Sequence, residues 1–170
     1  MATRTMLRSM LSVALGLVMT ATAGAADYNG NQVIASGDTV TYPASEWVTI
    51  SAWGPDGSLT VQGELSGMGM LMLNRGGNAN SDAVLIVDGG LVSGGSLYTS
   101  HGSTGGTATI TVENGGLLTM TGNANIGNGG GTTSFVQTGG DVAFGGTFSL
   151  ARTATWTCTV SLSGGSFTVG

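Results

Sequence analysis

The sequence predicts an all-β fold, a right-handed parallel β-helix (β-solenoid) with about 25 residues per coil and three short strands in each. Three observations predict it. A phrase of apolar, any residue, apolar, then a glycine-rich turn, then apolar again, returns five times. Its central apolar residues, Val61, Val87, Val112, Val136 and Leu162, stand 26, 25, 24 and 26 residues apart. Glycine supplies 32 of the 170 residues and gathers between the apolar runs, where a sharp corner needs backbone freedom without a Cβ. A β-sandwich also has short, evenly spaced strands, but it does not require the same phrase every coil.

Residues 1–25 read as a secretory signal peptide. Arg4 and Arg8 form its basic start, residues 11–19 its apolar run, and Ala23-Gly24-Ala25 a small-residue cleavage site. The apolar run is too short to span a bilayer. The expected mature chain starts at Ala26, is extracellular or at the cell surface, and inserts in no membrane after cleavage.

Residues 26–58 fit the frame as an irregular N-terminal coil or cap, through Val33-Ile34, Val40 and Trp47-Val48-Thr49-Ile50. Residues 59–170 hold the repeats. The first strand of each carries Leu59/Val61, Leu85/Val87, Ile110/Val112, Val136 and Val160/Leu162. The second carries Leu65, Leu91, Leu117 with Leu118, Val142 with Phe144, and Phe167 with Val169. The third carries Leu71, Leu97, Ala124 and Phe148 with their neighbours. Stacking at the repeat distance gives inward ladders such as Leu59–Leu85–Ile110 and Val61–Val87–Val112–Val136–Leu162. No coil buries its apolar face alone, so neighbours must supply the core. The last repeat reaches Gly170 after its second strand. It reads as an incomplete coil with an open edge, either part of a longer array or a place for end-to-end self-association.

Charge narrows the partners. Beyond residue 25, two arginines stand against nine carboxylates, a net charge of −7, and lysine is absent. Such a chain has no footprint for nucleic acid or for anionic membranes. The single cysteine, Cys158, excludes an internal disulfide and falls on an inward position, where a free thiol packs as a small apolar residue.

Two outward columns hold the candidate site residues. The residue after each central apolar position gives Gln62, Asp88, Glu113, Gln137 and Ser163. Asp88 and Glu113 would be stacked neighbours, the spacing of a retaining glycosidase pair or of two calcium ligands. They lack a basic or aromatic partner in the repeat frame. The end of the third strand gives Trp53, Arg75, His101, Asn128 and Arg152, a stripe fit for a sugar or an anion with Trp53 as stacking platform. His101 has no second His or Cys at ligand spacing, so no zinc site and no other metal site is expected. Residues 127–131 are glycine-rich but precede no lysine, which argues against a phosphate cradle, and no cofactor is expected. Alternate threonines at 107–111 and 153–159 suggest an ice-binding face. The column read across the coils, Thr60, Ile86, Thr111, Phe135 and Ser161, interrupts it.

A signal peptide followed by Thr/Gly-rich coils of this form resembles the β-strand repeats of autotransporter passenger regions. It also resembles β-helical ectodomains of secreted proteins with a C-terminal sorting signal. The resemblance covers residues 59–170, and this sequence shows neither a translocator barrel nor a sorting helix with a basic tail. It implies a surface structural or adhesive role. The expected function is therefore a secreted or cell-surface β-helix without catalytic activity, with a surface polysaccharide or another cell-surface protein as partner. The competing expectation is a carbohydrate-active or carbohydrate-binding β-helix (pectin-lyase-like) using Asp88 and Glu113, with Arg75, His101 and Arg152 as ligand contacts.

Overall fold

The computed structural model describes residues 18–20, 25–76, 81–100, 104–151 and 156–170. The described chain is all strand and turn. It opens with β1 (Val18–Thr20), β2 (Ala26–Tyr28), β3 (Gly30–Ile34), β4 (Thr39–Thr41), β5 (Trp47–Ala52) and β6 (Gly57–Val61). The next two coils hold β7 (Glu64–Ser66), β8 (Met70–Arg75), β9 (Asp82–Asp88), β10 (Leu91–Gly94), β11 (Ser96–Thr99) and β12 (Thr104–Glu113). The rest are β13 (Leu117–Met120), β14 (Ala124–Ile126), β15 (Gly130–Gln137), β16 (Asp141–Phe144), β17 (Phe148–Leu150), β18 (Trp156–Leu162) and β19 (Ser166–Val169).

Each strand pairs in parallel with the strand one coil away, which makes three sheets. Sheet A runs β1-β4-β7-β10-β13-β16-β19, sheet B β2-β5-β8-β11-β14-β17, and sheet C β3-β6-β9-β12-β15-β18. This is the predicted β-solenoid, about five turns with three strands per coil. The cap region is built like the rest, for β3 pairs with β6 and β4 with β7 in the same way. Strand β1 lies inside the stretch read as a signal peptide and edges sheet A beside β4. The remaining residues up to Gly24 lie outside the described residues.

The core fills the space between the sheets with stacked ladders. Leu59, Leu85, Ile110 and Phe135 are in register and fully buried, as are Val48, Leu71, Leu97 and Ala124 across sheet B. Register is where the sequence reading needs correction. In β15, Thr111 pairs with Val136 and Val112 with Gln137, so the fourth central position is Gln137 and not Val136. Phe135 turns into the core and Val136 turns out. A one-residue slip sends every side chain to the opposite face, so the choice is decided by the whole strand. Inward Phe135 buries more apolar surface than Val136 would. Inward Gln137 keeps hydrogen bonds, its Nε2 donating to the carbonyls of Gly140 (2.9 Å) and Ser166 (2.8 Å). Sheet A shows a similar shift. The inward ladder is Leu65–Val92–Leu118–Val142–Phe167, and Leu91 and Leu117 stand on the outer side beside Glu64. Leu162 does follow Gln137 in register, yet in the last coil it is half exposed.

The corner from sheet B to sheet C carries a left-handed residue in each coil: Ser51, Asn74, Ser100, Gly127 and Ala151, with φ of 60°, 54°, 56°, 83° and 48°. Four of these are not glycine, so the turn is held by surrounding bonds instead of by backbone freedom. At Asn74 the buried amide donates to the carbonyls of Ser81 (3.2 Å) and Gly105 (3.3 Å), and its oxygen accepts from the Ser81 hydroxyl (3.0 Å). The final coils change filling. All four phenylalanines, Phe135, Phe144, Phe148 and Phe167, pack together there with ring centroids 5.1 to 6.4 Å apart.

Candidate functional site

Three places on the outer surface gather the residues that the sequence singles out. The first is the corner between sheets C and A. Asp88 and Glu113 are register partners at the ends of β9 and β12, about one strand spacing apart. Asp88 is already engaged: its Oδ2 accepts from Gln62 Nε2 at 2.8 Å and its Oδ1 from Asn114 Nδ2 at 2.7 Å. These bonds to Gln62 and then Asn114 hold its carboxyl below the usual carboxylate range, since they favour the charged form. A glycosidase acid needs the opposite shift, upward, to carry a proton at neutral pH. The groove beside this corner has a volume of about 330 Å³ and is lined by Asp38, Gln62, Glu64, Leu91, Leu117 and several glycines. Neither Asp88 nor Glu113 lines it, and its lining has no arginine, histidine or aromatic ring. Gln137, which the sequence places in this column, points into the core instead. Among the described residues no three His, Cys, Asp or Glu side chains gather as metal ligands do.

The second place is the outer face of sheet B near the N-terminal coils. Arg75 Cζ lies 5.0 Å from the ring centroid of Trp47 and 5.5 Å from that of Trp53. Both distances are in cation–π range. The register explains the geometry. Arg75 pairs with Ala52 at the far end of β8 from Met70, which pairs with Trp47. To approach Trp47, the Arg75 side chain must reach back along the outer face, over the register pair Thr49 and Met72. Strand alternation puts both outside the core, since Val48, Leu71 and Leu73 face in, yet Thr49 is 0% and Met72 1% exposed. Thr49 and Met72 are therefore buried on the outer side of sheet B, where Asp27 and Tyr98 are their register neighbours. The sequence stacks Trp53 on Arg75. In the structure Ala52 takes that register position, and Trp53 reaches the arginine from one residue beyond. Of the other members of that stripe, Asn128 donates its backbone N–H to the Thr99 carbonyl (3.1 Å), and His101 and Arg152 lie outside the described residues.

The third place is the outer face of sheet C. With the register corrected, three columns run across β12, β15 and β18: Thr107–Thr132–Thr157, Thr109–Ser134–Thr159 and Thr111–Val136–Ser161. Eight of these nine residues carry a hydroxyl. The interruption that the sequence places at Phe135 is not there, because that ring is inside. On β9 the columns continue as Asp82, Val84 and Ile86, so the hydroxyl array belongs to the C-terminal half. Sequence reasoning missed it by one residue in one strand. The signal that finds it is Phe135, the largest apolar side chain in β15.

Cys158 packs against the core beside Val160 and is free. Burial raises its thiol above the ordinary range, which keeps it protonated and unreactive at neutral pH. Comparison of the chain with protein-family profiles, with curated proteins and with solved structures finds no match to any of them.

Proposed function

We propose that the protein is a secreted or cell-surface structural β-helix, without catalytic activity, whose outer faces make adhesive contacts. The observation that supports it is the uncharged hydroxyl array on sheet C, in register over three coils. Its mesh is set by the fold, about 4.8 Å between coils and about 6.6 Å between alternate residues of a strand. A repeating partner, a polymer or an ordered surface, meets such a mesh with many weak contacts at once. Each contact alone is weak, and linking them raises avidity by about 10² to 10⁴. The signal peptide and the resemblance to autotransporter passenger repeats point to the same location, outside the cell. The amide-held Asp88 supports a non-catalytic reading.

Displaying the chain from Ala26 onward on beads and measuring retention on insoluble cell-wall polysaccharide tests this reading. Dense display is expected to bind and sparse display to fail. Lysine at Thr109, Thr132 and Thr159 together should abolish retention while the circular dichroism spectrum stays unchanged. Retention that ignores both density and these substitutions refutes it. A freezing-point depression measured in the same series separates an ice lattice from a polysaccharide as the ordered partner. Immunoblots of medium and cell fractions, with N-terminal sequencing, test secretion and cleavage before Ala26.

The second reading, carbohydrate binding, is favoured by a different observation: the exposed indoles of Trp47 and Trp53 beside Arg75.

A further inference from the structure

We propose that Trp47, Arg75 and Trp53 form a discrete site for an acidic sugar residue of a polysaccharide. The sugar ring stacks on the Trp53 indole, and its carboxylate or sulfate group meets the guanidinium edge. This rests on the carbohydrate-binding reading and adds the charge of the ligand.

Four features carry it. Arg75 makes no ion pair with any described residue, in a chain where carboxylates outnumber arginines nine to two beyond residue 25. Its neighbours are two indole rings, which leave guanidinium N–H donors for a ligand. That planar fork matches the paired oxygens of an acid group.

Trp53 is 66% exposed and Trp47 43%. Two large exposed rings beside one arginine cost free energy unless something covers them in use. The negative face of an indole suits the polarised C–H groups of a sugar ring.

Trp53 is also held in place. Its φ of 59° is left-handed, a rare and strained state for a bulky residue. Gly76 explains how the ring is seated: a Cβ there would lie 2.4 Å from Trp53 Cε3. The indole therefore lies directly on the backbone of the next coil, in a pose that any larger residue at 76 would displace. Backbone strain of this kind gathers at ligand clamps, where the surroundings over-determine it.

Two of the three residues are anchored on strands as well: Trp47 opens β5 and Arg75 closes β8, and the strands are held in register between them. The amide-bound carboxylate of Asp88 lies at another corner of the coil.

The test titrates the purified chain with three polymers at physiological ionic strength: alginate, dextran sulfate and neutral dextran. Affinity electrophoresis and tryptophan fluorescence are the readouts. Retardation by alginate, dextran sulfate or both is expected, and which of them binds distinguishes a carboxylate from a sulfate ligand. Arg75→Gln should weaken that binding about ten- to a hundredfold. Arg75→Lys keeps the charge and an aliphatic stem and should fall between, which separates lost recognition from lost packing. Trp53→Ala should remove binding to every polymer. Equal binding of dextran, insensitive to Arg75→Gln, overturns the acidic ligand and leaves carbohydrate binding standing. No binding to any of the three overturns both.

Discussion

Exchanging two adjacent residues for alanine separates the observed register from the one the sequence suggests. Phe135 is fully buried and meets three other rings edge-on, Phe144 at 6.4 Å, Phe148 at 6.1 Å and Phe167 at 5.9 Å. Removing a buried phenylalanine costs about 3–5 kcal/mol through lost transfer energy and the cavity left behind. The surrounding rings are themselves bulky and partly fixed by their own strands, so collapse into the space is limited. Val136 lies on the outer face with its side chain half in water, and Val136→Ala should cost about 0.5 kcal/mol or a little more. For a domain of this size each kcal/mol shifts Tm by about 2–4 °C. Phe135→Ala should therefore lower Tm by about 6–20 °C and Val136→Ala by about 3 °C at most. Thermal unfolding followed by far-ultraviolet circular dichroism reads both. Equal losses, or a larger loss from Val136→Ala, would place Val136 in the core and refute both the register and the hydroxyl array derived from it.

Three further outcomes follow from the same geometry. Asp88 and Asp141 are held below the ordinary carboxylate range, Asp88 by Gln62 and Asn114, and Asp141 by Ser166. Their stabilising contribution is complete above the ordinary range near pH 4 and is lost as pH falls through the lower folded values. Tm should stay level from neutral pH to about 5 and drop below about 4. In the Asp88→Asn, Asp141→Asn double variant the drop should be shallower, and an identical slope would contradict the assignment. At the buried corner, Asn74→Gly keeps the left-handed backbone and loses only the amide, whereas Asn74→Ala loses both. Alanine should be the less stable by about 1–2 kcal/mol, read by urea midpoints, and equal midpoints would show that the φ is not maintained. Gly76→Ala sets a Cβ against Trp53 and also strains a left-handed backbone (φ 92°), so it should shift tryptophan emission and lower Tm while the strand signal survives at low temperature; an unchanged emission spectrum would mean that the ring is not seated on Gly76.

The repeat was legible because the coil length fixes it. Val61, Val87 and Val112 stack as their spacing says, and so do Leu71, Leu97, Ala124 and Phe148. What the sequence hides is phase within a strand where both neighbours are apolar. At Phe135-Val136 either residue satisfies alternation, and only packing against three other phenylalanines decides. At Leu91-Val92 and Leu117-Leu118 the same ambiguity arises, and the turn geometry puts the first of each pair outside. The left-handed corners were also hidden, since Ser51, Asn74, Ser100 and Ala151 are not glycine and their turns are held by local bonds, Ser51 to Pro55 and Asn74 to Ser81, and by backbone bonds from Ser100 and Ala151 to the preceding coil. Of the site, Arg75 and Trp53 were visible as a stripe. Trp47 was not, because it lies six residues before Trp53 and joins it only through the folded-back arginine.

The acidic composition acquires a structural cause from the coil contacts. Asp56 accepts from the backbone N–H of Asp82 (2.9 Å), Asp82 from the Thr107 hydroxyl, and Asp88 from Gln62 and Asn114. Asp141 accepts from the backbone N–H of Ser166 (3.1 Å) and its hydroxyl (2.6 Å). Each of these bonds joins a coil to its neighbour. A parallel solenoid leaves backbone N–H groups at every corner, and a carboxylate takes two of the available donors at once, more strongly than a neutral acceptor does. Lysine has no corresponding use here, since it accepts nothing. These four aspartates are therefore cross-coil acceptors first, and a stacked carboxylate pair that includes one of them is weak grounds for hydrolytic chemistry. The same logic isolates Arg75. With Asp56, Asp82, Asp88 and Asp141 turned to donors of neighbouring coils, Arg75 has two exposed indoles beside it and, among the described residues, no carboxylate partner.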